Sequence, residues 1–175
     1  MTDCATSDAA SDRKSERNRI GGAGRPGVRG KNMKTQYLSK QEIYDGAVRH
    51  LFGQGGAAIL PRGGAAYHGQ GGRCCPIGNL IGVRDYTTSM ESVPVRYILK
   101  PANEIPRYMD AGVIALRRAL KRARIDVDDR DTVELLSKLQ NAHDVFGTWE
   151  WKDRLQSIAR QFGLSGSIVD TVESF

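Results

Sequence analysis

Two adjacent cysteines, Cys74 and Cys75, follow a run of glycines between Tyr67 and Ile81, and His68 stands six residues before the first of them. A second chemical pair, His143-Asp144, lies in the C-terminal half. Zinc takes four nitrogen or sulfur ligands in a tetrahedron, and His68, Cys74, Cys75 and His143 supply the types. Adjacent cysteines seldom both reach one ion, and there is no C-x-x-C knuckle, so neither a metal nor another cofactor is expected. The same residues could instead make a thiol nucleophile. Cys75 would attack, His143 would take its proton, and Asp144 or Asp153 would orient the imidazole. Cys75 also precedes a possible helix start, where a thiolate is stabilised. Two features argue the other way. His143 falls on the apolar face carrying Leu136 and Leu139, and a free cysteine beside a glycine turn commonly serves as a small buried hydrophobe.

The second lead is electrostatic. Arg117, Arg118, Lys121, Arg122 and Arg124 place five cations within eight residues of one predicted helix. Such a face could neutralise several phosphates in a salt-sensitive contact or meet a protein partner, since arginine is favoured at interfaces. Asp126, Asp128, Asp129 and Asp131 follow closely and could offset it. The glycine-rich pieces lack the G-x-x-x-x-G-K-[ST] spacing of a phosphate-binding loop.

Positioning these groups requires a folded body, and the chain has room for a single domain. It has 175 residues, 39% hydrophobic and 26% charged, with a formal charge of +6. Residues 1–34 carry eight basic and four acidic side chains, so the tail holds +4 of that total and the other 141 residues +2. A strongly basic folded surface is therefore not implied. Residues 1–34 have almost no large apolar side chains and read as a disordered basic tail. No apolar run approaches the roughly 20 residues of a bilayer span, the N-terminus lacks a secretory layout, and three cysteines make a poor disulfide framework. A cytoplasmic protein without membrane contact is expected.

Order is predicted from Leu38. Ser39 and Glu42 form a capping box, and Ile43, Ala47 and Leu51 share the buried face of a helix over about residues 40–52, stopped by Gly53. Nine glycines in the 26 residues from Gly53 to Gly78 exclude a helix there. Short strands at 57–60 and 65–68 would make a hairpin, and the β-branched run 93–99 reads as a further strand. The C-terminal half is helical. Met109, Val113, Leu116, Leu120 and Ala123 form one stripe after Pro106. Asp131 and Glu134 resemble a capping box before Leu135, Leu136 and Leu139. Thr148 would cap a last helix with Trp151, Leu155, Ile158 and Phe162 inward, ended by Gly163.

Several fragments together resemble a known group of sequences. They are Tyr67-His68-Gly69, Cys75-Pro-Ile-Gly78-Asn-Leu80-Ile81, Leu136-x-x-Leu139-Gln140-x-x-His143-Asp144, Trp151, and Ile158-Ala159-x-x-Phe162-Gly163-Leu164. The pattern is similar to that of a family of short, uncharacterised proteins of bacteria and their phages, and spans roughly residues 40–164. That family carries a Cys-x-Tyr-Arg-Gly turn, whose cysteine falls at Ala65 and whose arginine falls at His68; a two-cysteine site would need Cys74 as the substitute. The resemblance implies a phage or prophage origin and brings no activity with it.

The expected architecture is thus a single α+β domain over 35–165, mainly helical with about four helices and a small glycine-rich β-hairpin, followed by a flexible tail at 166–175. Its core would hold Tyr67, Cys75, Ile77, Leu80, Ile81, Leu136, Leu139, Trp151, Leu155, Ile158 and Phe162, with Gly69 and Gly78 serving backbone geometry. The expected function is a non-enzymatic accessory protein that binds a host protein or nucleic acid through Arg117–Arg124. The alternative is a small cysteine-dependent hydrolase or transferase using Cys75, His143 and Asp144.

Overall fold

A computed structural model of the chain describes residues 36–172, and the expected basic tail lies outside them. The order of elements follows local sequence rules closely at the start. Ser39 Oγ accepts the Glu42 amide at 3.2 Å while the Glu42 carboxylate accepts the Ser39 amide at 2.8 Å, so α1 (Lys40–Gln54) opens on the predicted capping box. Ile43, Tyr44, Ala47, Val48, Leu51 and Phe52 are buried along its inner face. The helix runs past Gly53 and stops at Gly55, whose φ of 66° is the left-handed geometry that closes helices.

The other helices are α2 (Pro76–Leu80), α3 (Asp110–Arg122), α4 (Arg130–Val145), α5 (Trp151–Phe162) and α6 (Ser167–Thr171). α4 is central, packing on α1, α2, α5 and the 3₁₀ turn Val95–Leu99, while α3 packs on that turn and on the turn Thr88–Met90. Leu135, Leu136 and Leu139 are fully buried. Burial of this kind contributes about 1.5–3 kcal/mol per large apolar side chain before entropy is counted. Of the predicted core, all but Leu80 and Phe162 are buried, and those two pack partly exposed against it. Within the segment expected to be a flexible tail, α6 buries Val169. No helix among the described residues is long and apolar enough to cross a membrane.

The expected α+β class is corrected: among the described residues the fold is helical and contains no β-strand. In place of the hairpin stand two isolated antiparallel bridges, Ile59 with Ala65 and His68 with Cys74. The reason is where the backbone donors go. The Ala58 amide is given to the His143 imidazole, and the Tyr67 and His68 amides go to the Glu91 carboxylate. A ladder needs those amides for a neighbouring strand. Positive φ at Gly63 and Gly64, and at Gly71 and Gly72, turns the chain within the short loop that each bridge closes. The strand expected at 93–99 is likewise corrected to the 3₁₀ turn Val95–Leu99 after Pro94, with Val95 and Ile98 buried one turn apart and the Val95 amide held by Gln140 Oε1 at 2.9 Å. The cap of α4 is Asp129 rather than Asp131. Its carboxylate accepts the amides of Asp131 and Thr132 and the Thr132 hydroxyl, while Glu134 pairs with Arg130.

Gly69 and Gly78 have the geometric role expected of them. A Cβ on Gly78 would lie 2.0 Å from the Tyr67 carbonyl oxygen, and one on Gly69 would lie 2.5 Å from the Ile59 nitrogen. Two stretches of backbone touch at each glycine, and no larger residue leaves room for that.

Candidate functional site

Cys75 stands at the N-cap of α2, 1% exposed, with its sulfur accepting the Gly78 amide at 3.3 Å. Burial pushes its thiol well above the ordinary cysteine range, the hydrogen bond from Gly78 opposing this only in part. A reactive thiol needs the opposite shift and access to solvent.

His143 is 2% exposed, and both of its ring nitrogens are engaged. Nε2 accepts the Ala58 amide at 2.8 Å, so the proton of the neutral ring sits on Nδ1 and is donated to Asp144 Oδ1 at 2.8 Å. The imidazole therefore has no lone pair to offer a thiol. It fastens the chain leaving α1 to the end of α4 and fixes the rotamer of Asp144. The structure brings His143 and Asp144 together as expected and does not pair either with the Cys75 sulfur.

The sulfur that does face a histidine is Cys74, with Sγ 3.6 Å from His68 Nδ1. Cys74 is half-buried, and its backbone is held on both sides by α1. Its carbonyl accepts His50 Nε2 at 2.8 Å and Gln54 Nε2 at 2.9 Å, and its amide donates to Gln54 Oε1 at 3.0 Å. His68 lies against the Tyr86 ring, with centroids 4.3 Å apart, and its Nε2 is buried without a partner. Burial, then the neighbouring Glu91 carboxylate, pushes the Cys74 thiol up. Glu91 also accepts the Tyr86 hydroxyl at 2.7 Å, so one carboxylate gathers Tyr67, His68 and Tyr86. Among the described residues no three His, Cys, Asp or Glu side chains are grouped to hold a metal ion.

Behind this turn, the Tyr67 hydroxyl donates to the Val93 carbonyl at 2.6 Å and accepts Gln140 Nε2 at 3.0 Å. Gln140 completes the link through Val95. These bonds form the floor of a groove of about 440 Å³ between the 65–67 segment, the 92–96 segment and α4. Glu91, His50, Gln54 and the groove were missed in the sequence. Only His50 and Gln54 left a signal there, as a polar pair at i, i+4 beside the apolar face of α1.

The basic residues divide into two kinds. Arg117 and Lys121 both bind Asp128, Arg117 also donates to the Ile98 carbonyl at 3.2 Å, and Arg122 pairs with Asp85. Arg118 is exposed and makes no ion pair among the described residues. Arg124, at the end of α3 with φ 60°, lies close enough to Glu42 to help hold that carboxyl down, after the Ser39 hydrogen bonds that dominate the shift. The cations run along α3 on the C-terminal side of Ile114, which is 58% exposed, and together Ile114, Arg117, Arg118, Lys121 and Arg122 line a shallow surface depression. The sequence marks the charge of this face but not the exposed isoleucine at its N-terminal end.

No protein-family model matches the chain, and no curated protein or solved structure is significantly similar to it.

Proposed function

We propose that the protein is a non-enzymatic accessory factor that acts by binding another protein, with the outer face of α3 as its contact. The phage or prophage setting comes from the resemblance carried by the motifs between Tyr67 and Leu164. The observation that carries the binding reading is Ile114, an exposed branched apolar side chain at the N-terminal end of a stripe of Arg117, Arg118, Lys121 and Arg122, with which it lines one surface depression. An exposed apolar side chain with arginine beside it suits a protein interface. A nucleic-acid contact would draw its affinity from cations free to replace counterions. Here three of the four are already shared with Asp85 and Asp128. The matching partner segment is an apolar side chain flanked by carboxylates, which can pair with Arg118 directly and compete with Asp85 and Asp128 for the rest. The hydrolase or transferase alternative draws no support from a buried, raised Cys75 and a fully engaged His143.

The test is affinity capture from bacterial lysate with wild-type protein and with Ile114→Glu plus Arg118→Glu, followed by reconstitution with the purified captured protein. A direct complex weakened at least tenfold by the double variant is expected, with no comparable binding to a random-sequence DNA duplex at 150 mM salt. Equal affinity of both forms for the reconstituted partner overturns the reading. Tighter binding to the duplex than to any protein replaces it with the nucleic-acid one.

A further inference from the structure

The groove over α4 has a satisfied floor and an exposed polar rim. Its floor is spent, since Tyr67 and Gln140 satisfy each other and the 93–95 backbone. Its rim is not: the side chains of Ser92, Arg96, Ser137, Lys138 and Asn141 line the opening and make no hydrogen bond or ion pair among the described residues. Asp144 lines it too, with Oδ1 fixed by the buried His143 and Oδ2 unpartnered. Ser92 holds a left-handed backbone at φ 64°, a conformation that costs a non-glycine residue energy and tends to occur where a segment is shaped for a task. Lys138 and Asp144 are six residues apart on α4, which is about 9 Å along the helix axis. The groove is therefore bipolar, carrying a carboxylate acceptor and, about one and two-thirds turns away, a cation.

We infer that this groove is a small-molecule site, independent of the α3 face, for an amphoteric ligand with an anionic group and an N–H donor at opposite ends. The anion sits on Lys138 and Arg96, and the donor on Asp144 Oδ2. Ser137 and Asn141 contact the body between them. The volume is in the range of known ligand clefts, and the His143 imidazole acts as a positioning residue that keeps the Asp144 carboxylate aimed before the ligand arrives. Two sources share this chemistry. A nucleoside monophosphate with an exocyclic amine presents phosphate and donor, a carboxylate being a natural acceptor for cytosine N4. A dipeptide presents carboxylate and ammonium.

The experiment is calorimetric titration of the full-length protein at low salt with cytidine monophosphate, uridine monophosphate, alanyl-alanine and inorganic phosphate. One amphoteric probe is expected to bind one per chain, at least tenfold tighter than phosphate. Cytidine monophosphate binding with weaker uridine monophosphate identifies a nucleotide, and alanyl-alanine binding alone identifies a peptide. Asp144→Asn, which keeps an oxygen for His143, and separately Arg96→Ala plus Lys138→Ala should each weaken the probe at least tenfold while leaving the melting temperature within a few degrees. The inference is overturned if neither cytidine monophosphate nor alanyl-alanine binds up to millimolar concentration, if phosphate binds as tightly as either, or if both variants bind as the wild type does.

Discussion

The turn from Tyr67 to Gly78 and the outer face of α3 invert what their compositions suggest. The turn holds the residues that chemistry favours, two cysteines and a histidine, and the structure uses most of them as fasteners. Cys75 caps a helix, and the Tyr67, His68 and Cys74 backbones are held by Glu91, Gln54 and His50. The α3 face holds only arginines, a lysine and an isoleucine, yet there Ile114 and Arg118 are left facing solvent. Residue type alone does not tell a fastened group from a free one in this chain. A group already satisfied inside a protein gives up free energy to meet a partner, whereas an exposed one gives up only water.

The widest gap between a fastened and a free group is expected between the two neighbouring thiols. In a Cys4→Ser background, a thiol reagent should label Cys74 in the native protein and reach Cys75 only through opening of the α2 start. Labelling rates should differ by about a thousandfold or more, since opened forms of a stable domain are that rare. Mass spectrometry of peptides from a labelling time course reads the ratio, and comparable rates would place Cys75 among the accessible groups. Next in size is Gly78→Ala. The added methyl would meet the Tyr67 carbonyl, which is rigid backbone. A loss of about 3 kcal/mol, at the upper end for overpacked cores, is expected in urea denaturation. Loss of His143 comes close behind. His143→Ala leaves the buried Ala58 amide without an acceptor and a hole beside Trp151, costing about 2–3 kcal/mol. Hydrogen exchange at Ala58 should accelerate far more than at Leu51, which separates a local fastener from general destabilisation.

Legibility followed the range of the interactions. The capping box at Ser39, the αL stop at Gly163 and the apolar stripe of α3 are encoded within a few residues, and they are present in the structure. The glycine-rich stretch marks Gly69 and Gly78 as backbone positions, but the contacts with Ile59 and Tyr67 that require them come only from the fold. What failed was long-range. Residues 57–60 and 65–68 have strand composition, but composition does not reveal that His143, 85 residues away, and Glu91 would take their amides. The run 93–99 is β-branched, yet Pro94 and the Gln140 side chain set it as a 3₁₀ turn. The His143-Asp144 pair was visible as chemistry, while its tautomer, and therefore its role, depended on a donor from across the fold. The groove was invisible because its walls come from three separated segments that have no pattern in common.

The smallest effect compares the charged cap of α4 with the steric contact at Gly78 in the turn. Asp129 is held below the usual carboxylate range, chiefly by the Thr132 hydroxyl at 2.6 Å, with Lys40 at 3.6 Å adding to it. A carboxyl whose folded value is depressed contributes stability that is complete above its unfolded value, near pH 4, and that is lost as pH falls through the folded value. Asp129→Ala should therefore cost about 1 kcal/mol at neutral pH, the ordinary worth of an N-cap, and the gap between wild type and variant should narrow below about pH 4. The Gly78→Ala penalty comes from a steric contact and should keep its size over the same range. Urea denaturation of the three proteins at pH 7 and pH 3 separates the two behaviours. A constant Asp129→Ala penalty at both pH values would mean that the cap acts through geometry rather than charge, and would bring α4 closer in kind to the turn it is being compared with.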